Sequence, residues 1–224
     1  MPQRFPDLSK IINSKGTIVG IYQDANHVFH GSLRDRDGAI TNFDPPGSIA
    51  TVITGMNEKG KTIGNYAEGY YQHGFLRSPD GNYTDFDPPQ ALQTFPSGIN
   101  RRGDITGDYD IDYSTVYAFV RDRDGKITIF NGPCAGVSTF PASINDAGVI
   151  AGEYLGYGAH GFVRDRDGNL TTFDAPGSTR TSPRAMNSRS ITGCYDVASG
   201  QEHGFLLSFA PDEEESQPRA EDEQ

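Results

Sequence analysis

Two stretches of this chain are near copies: VYAFVRDRDGKITIFNGP (residues 116–133) and AHGFVRDRDGNLTTFDAP (residues 159–176). They part at His160 and Asp174, which the first copy replaces by Tyr117 and Asn131. A histidine beside a carboxylate can relay protons, help hold a metal or simply fasten two strands. The pair recurs as His30 with Asp44 and as His73 with Asp87, and His203 takes the same slot in the last copy. Hairpin register accounts for the joint loss. A three-residue loop, Arg166-Asp167-Gly168, pairs Asp165 with Asn169, and counting back in equal steps sets His160 opposite Asp174. The same count sets His30 opposite Asp44, His73 opposite Asp87 and Tyr117 opposite Asn131, cross-strand neighbours about 5 Å apart. A catalytic group is not needed once per repeat. Equivalent positions in successive repeats of a ring also cannot converge on one metal. The pattern therefore predicts structural His–Asp pairs, with a repeated ligand site and catalysis as the remaining readings.

The copy that lost the pair has gained Tyr109-Asp110-Ile111-Asp112-Tyr113 beside Tyr117. The second copy carries Glu68, Tyr70 and Tyr71 at the matching place, and the fourth carries Tyr157. Tyrosine rings stack on the apolar faces of sugars, and carboxylates accept hydrogen bonds from hydroxyls. Tyr70, Tyr71, Tyr109, Asp110, Asp112, Tyr113, Tyr117 and Tyr157 thus form the candidate ligand-binding set. Were the chain an enzyme, Asp108, Asp110, Asp112, Tyr113 and Tyr117 would be the catalytic candidates, with Glu153 or Glu68 as a second carboxylate. Two carboxyl groups divide acid and base roles when their environments push their pKa values apart. Asp108, however, holds the position that Asn65 and Glu153 hold in their copies, which also suits a half-exposed strand face.

Other signals are weaker. The RDRDG turns starting at Arg34, Arg121 and Arg164 contain Asp-x-Asp-Gly, but the later ligands and closing Glu of a calcium loop are missing, so they read as hairpin turns. No nucleophile elbow, phosphate loop, dinucleotide fingerprint or His-Glu-x-x-His motif occurs, so no cofactor and no metal is expected. The two cysteines, Cys134 and Cys194, lack metal-ligand spacing, and their pairing is left open.

The elements that must position these residues come from a repeat. Gly-x-Tyr occurs at Gly20, Gly64, Gly107, Gly152 and Gly193, with tyrosine-to-tyrosine steps of 44, 43, 45 and 41 residues. An asparagine precedes each: Asn13, Asn57, Asn100, Asn145 and Asn187. In the fourth copy the strands are expected at residues 139–144, 149–154, 160–165 and 169–174. Turns at Asn145-Asp146-Ala147-Gly148 and Arg166-Asp167-Gly168 join them, and proline closes the last strand. Four short strands per roughly 43-residue repeat predict an all-β, five-bladed β-propeller of four-stranded blades. The last copy stops after a third strand, residues 203–209, so Pro2 to Phe5 is expected to supply its outer strand and close the ring. Residues 1–209 then form one propeller. Residues 210–224, PDEEESQPRAEDEQ at their end, read as a disordered acidic tail.

INDAGVIAGEY (residues 144–154), HGFVRDRDG (residues 160–168) and FDPPGS (residues 43–48) resemble the HAF-type repeat, the "probable extracellular repeat" family. The resemblance runs over roughly residues 5–209. It implies a propeller and no defined chemistry. It also implies export, whereas MPQRFPDLSK lacks the apolar region of a signal peptide, which on its own predicts a cytoplasmic chain.

A net charge of -11, without Lys/Arg clusters, argues against nucleic acid and anionic membranes as partners. No apolar run approaches the roughly 18 residues of a membrane span, so a soluble monomer is expected. The sequence reading is a propeller binding a carbohydrate or other small polar molecule on the face of the blade-joining loops. An enzyme of hydrolase or lyase/cyclase type is the alternative, and a protein-interaction scaffold the second alternative. Five-bladed propellers include both lectins and glycosidases, an analogy of architecture alone.

Overall fold

The computed structural model describes residues 8–134 and 136–209. All regular structure among them is β. The first repeat is β1 (Leu8–Ile12), β2 (Ile18–Gln23), β3 (Phe29–Arg34) and β4 (Ile40–Phe43). The second is β5 (Ala50–Met56), β6 (Thr62–Glu68), β7 (Tyr71–Arg77) and β8 (Tyr83–Phe86). The third is β9 (Gln93–Ile99), β10 (Ile105–Asp110), β11 (Val116–Arg121) and β12 (Ile127–Phe130). The fourth is β13 (Thr139–Ile144), β14 (Ile150–Gly156), β15 (Gly158–Arg164) and β16 (Leu170–Phe173). The fifth has β17 (Ser178–Met186), β18 (Ser190–Val197) and β19 (Glu202–Ser208). Within each repeat successive strands pair antiparallel. Single parallel bridges, Gln72↔Gln93 and Ala159↔Arg180, join the second repeat to the third and the fourth to the fifth. The expected closing strand, Pro2 to Phe5, and the acidic tail lie outside the described residues.

Side-chain volume explains the repeat motif. A Cβ on Gly64, Gly107, Gly152 or Gly193 would lie 2.0–2.3 Å from a first-strand carbonyl oxygen, that of Val52, Phe95, Phe140 or Ser182. The first strand bulges there, with register shifts at Ile53/Gly55, Pro141/Ser143 and Pro183/Ala185 and opposite Thr106/Gly107, and the bulge presses its backbone onto the glycine. Glycine is therefore required by close approach rather than by its φ.

Adjacent repeats interlock through the phenylalanine that ends the fourth strand. The guanidinium of Arg77 lies 4.6 Å above the Phe43 ring, Arg121 lies 5.2 Å above Phe86, and Arg164 lies 4.7 Å above Phe130. Phe86, Phe130 and Phe173 meet Phe119, Phe162 and Phe205 of the next repeat edge to face. Phe75, Phe119, Phe162, Ile63, Ile105, Ile150 and Ile191 are fully buried. Alternating strands thus send one side-chain set into each inter-repeat layer.

Strand direction gives the molecule two ends. Turns joining first to second and third to fourth strands lie at one, the turn end. Loops joining second to third strands, and connections to the next repeat, lie at the other, the loop end.

Candidate functional site at the loop end

The loop end collects the sequence candidates. Nδ1 of His30 lies 2.8 Å from Oδ2 of Asp44, His73 lies 2.7 Å from Asp87, and His160 lies 2.9 Å from Asp174. Each imidazole faces the tyrosine of its own Gly-x-Tyr, with ring centroids 5.1 Å apart for Tyr22–His30, 5.4 Å for Tyr66–His73 and 5.2 Å for Tyr154–His160. Tyr195 and His203 repeat the contact at 5.3 Å. In the third repeat Tyr117 takes the imidazole's place against Tyr109, at 5.5 Å. Burial, with Asp85, Glu68 and Asp87 nearby, pushes the Tyr66 phenol up to about 12.

These carboxylates reach further than a pair. The other oxygen of Asp87 accepts from the Gly74 N–H at 3.3 Å and from the Thr94 hydroxyl, which belongs to the next repeat. At equivalent junctions Thr139 accepts the Gly132 N–H at 2.8 Å, and Thr181 accepts the Ala175 N–H at 3.0 Å. Sequence reasoning passed over these threonines. Their signal was present: Thr51, Thr94, Thr139 and Thr181 each stand six residues before a repeated asparagine and are wholly buried.

The tyrosine set divides. Tyr70 is 92 % exposed, Tyr113 61 % and Tyr71 48 %, and Tyr157 is fully exposed. Tyr109 is only 4 % exposed, packed with Phe119 and Tyr117 in the core, so it offers no ring to the surface. That corrects its place in the candidate set: Tyr109 follows Asp108 on the strand's core-facing alternation. Asp110 is likewise buried, its Oδ1 accepting the Tyr113 N–H at 3.3 Å. Asp112 accepts from the Ser114 N–H at 3.0 Å and its hydroxyl at 2.7 Å. These two carboxylates tie the loop that holds Tyr113 in the left-handed region, at φ 60°.

Asp108 stands apart. Its counterparts are tied off: Asn65 donates to Gln72 Oε1 at 2.9 Å, and Glu153 bonds the Ser182 hydroxyl with Arg180 3.5 Å away. Asp108 has no such bond among the described residues. Desolvation first, and the neighbouring Asp110 carboxylate second, push its carboxyl up to about 7. A carboxylic acid with a near-neutral pKa beside a second carboxyl is equipped to give and take protons.

No three His, Cys, Asp or Glu side chains converge as a cation site among the described residues. Cys134 and Cys194 are free thiols, Cys134 on the surface and Cys194 half-buried on β18.

The fold has relatives among solved structures. Virginiamycin B lyase from Staphylococcus aureus, a β-propeller, aligns with TM-score 0.57 and 15 % identity over 91 % of this chain and 71 % of that one. A catalytically inactive form of that enzyme with quinupristin aligns at 0.57 and 16 %, over 90 % and 73 %. A puromycin hydrolase mutant complexed with PGG aligns at 0.65 and 11 %, over 92 % of this chain and 36 % of that one. No protein-family model and no curated protein matches the chain. At such identities the likeness concerns the fold alone: an all-β architecture of the propeller kind.

Proposed function

We propose that this chain is a closed five-bladed propeller of the HAF-repeat type that binds a small polyhydroxylated ligand, a carbohydrate in the first instance, at its loop end. The exposure of Tyr70, Tyr71, Tyr113 and Tyr157 at one end of the molecule carries the reading. Rings left in water by a fold that buries or half-buries its other tyrosines form platforms for the apolar face of a sugar. Asp24, Asp44, Glu68, Asp112 and Asp174 belong to the same end, where Arg180, at the start of β17, already lies against Glu153 and Asp196. That setting favours neutral or amino sugars over anionic glycans. Titration calorimetry against neutral, amino and acidic sugars tests it, with wild type beside Tyr70→Ala and Tyr113→Ala. Saturable binding of neutral or amino sugars, weakened in both variants, supports the reading. Silence across the panel removes it.

A second reading rests on Asp108, whose raised pKa, with no hydrogen-bond partner among the described residues, suits a general acid of an enzyme acting on a small molecule or glycan. Turnover of a glycan or small-molecule substrate that vanishes in Asp108→Asn would support it.

A further inference from the structure

The turn end holds a site of different chemistry. Each of Asn57, Asn100 and Asn145 is consumed in the same way. Its Oδ1 caps its own turn, as when Asn57 accepts the Lys59 and Lys61 N–H groups at 3.0 and 3.1 Å. Its Nδ2 reaches the next repeat: Asn57 donates to the Asn100 carbonyl at 3.0 Å, Asn100 to Asn145 at 3.1 Å and Asn145 to Asn187 at 3.3 Å. A carboxamide nitrogen has two hydrogens, and among the described residues Asn57 and Asn145 spend one each. Asn57, Asn100 and Asn145 are 4 %, 3 % and 8 % exposed. The arc they form lines a cavity of about 370 Å³ whose apolar wall is Met56, Ile99, Ile144 and Met186.

Charge at the rim is arranged around the opening. Glu58 is held by the Ser14 N–H at 3.0 Å and by the Ser14 hydroxyl, and Asp146 by the Arg101 N–H at 2.8 Å. The Arg101 guanidinium keeps only a 3.7 Å contact with Asp146 and is 65 % exposed. Arg101 is the one basic side chain lining the mouth, beside the carboxylates of Glu58 and Asp146, while Arg102 is turned to Asp104 at 3.1 Å. The two carboxylates at the mouth thus take hydrogen bonds from neighbouring turns, while the Arg101 guanidinium has only its 3.7 Å ion contact with Asp146 and no hydrogen bond among the described residues.

We infer that this cavity binds a small carboxylate with an apolar body. The carboxylate would meet Arg101 and the spare asparagine N–H donors, and the body would rest on the two methionines and two isoleucines. The volume lies in the range of small-molecule sites, and the mix of an apolar wall with few polar groups is usual there. Guanidinium and amide donors pair with a planar carboxylate, not with an ammonium.

Two of the chain's three methionines, Met56 and Met186, line the cavity, which supplies the probe. Protein carrying 13C-methyl methionine would be titrated with benzoate, benzyl alcohol and benzylamine. The expected result is a saturable shift of two methyl signals with benzoate, and little with the other two compounds. Arg101→Gln and Ser188→Asp should each weaken benzoate about tenfold while leaving the remaining spectrum unchanged. Tyr113→Ala at the loop end should leave benzoate binding intact. Equal response to benzylamine, or no methyl shift at millimolar benzoate, overturns the assignment. Binding that survives both rim substitutions does so too.

Discussion

Oδ2 of Asp87 lies 2.7 Å from Nδ1 of His73, while Oδ1 of the same carboxylate holds the Gly74 N–H and the Thr94 hydroxyl. One side chain thereby joins the end of β8 to its neighbour β7 and to the first strand of the next repeat. Removing it leaves three donors short of a partner. Asp87→Ala should lower unfolding free energy by about 2 kcal/mol, while Asn131→Ala in the deviant third repeat should cost well under half of that. Paired urea titrations decide it; equal losses would mean the carboxylate is not the fastening.

Asp108 gives a pH signature. Its carboxyl titrates near 7 in the fold against 3.8 for the ordinary group. Between about pH 4 and pH 7 the folded state keeps a proton that the unfolded chain has released, so this group's contribution to stability falls as pH rises through that window. Asp108→Asn should match wild type near pH 4 and exceed it at pH 8, by on the order of 1–2 kcal/mol after allowing for the side chain's partial contact with water. Denaturant midpoints at both pH values provide the check. Parallel curves for the two proteins would show that the carboxyl ionises freely.

Close packing at the repeat motif predicts intolerance of a single methyl group. A Cβ at residue 107 would stand 2.3 Å from the Phe95 carbonyl and 2.9 Å from the Phe119 ring. Gly107→Ala should cost about 3 kcal/mol, whereas Gly156→Ala, whose Cβ would come no nearer than 3.5 Å to any described atom, should cost under 1 kcal/mol. Thermal midpoints of the two variants make the comparison.

At the loop end stability and binding should separate. Tyr70 and Tyr113 are exposed, so Tyr70→Ala and Tyr113→Ala should leave the denaturation midpoint within about 0.5 kcal/mol of wild type while weakening a stacked ligand roughly fivefold or more. Tyr109→Ala, by contrast, opens the core and should destabilise by about 3 kcal/mol. A destabilised Tyr113→Ala would mean that its ring is structural after all.

The repeated asparagines make a further stability test. Asn100→Ala removes the cap of its turn, the bond to the Asn145 carbonyl and the bond to Asp104, all buried or half-buried. A loss of about 3 kcal/mol is expected, while Asn187→Ala, exposed at the end of the arc, should cost about 1 kcal/mol. Similar values for both would dissolve the arc as a cooperative feature.

The sequence by itself determined the local pattern. Period-two alternation, Asp-Gly turns and a proline after each fourth strand are short-range signals, and the hairpin register that sets His30 against Asp44 follows from loop length alone. Strand ends moved by a residue or two: β15 starts at Gly158 rather than His160, because pairing with β14 continues to the tight Gly156–Gly158 turn. What the tertiary structure decided is which side of each strand meets the next repeat. Asp110 and Asp112 looked alike as loop carboxylates, yet one is buried and accepts the Tyr113 N–H while the other lies in water. Tyr109 and Tyr113 have the same composition-level signal, but burial depends on contacts between strands far apart in sequence. The asparagine arc is the clearest case. Each residue was visible as a turn former, and only the stacking of repeats, 42 to 45 residues apart, turns separate caps into one hydrogen-bonded rim around a cavity.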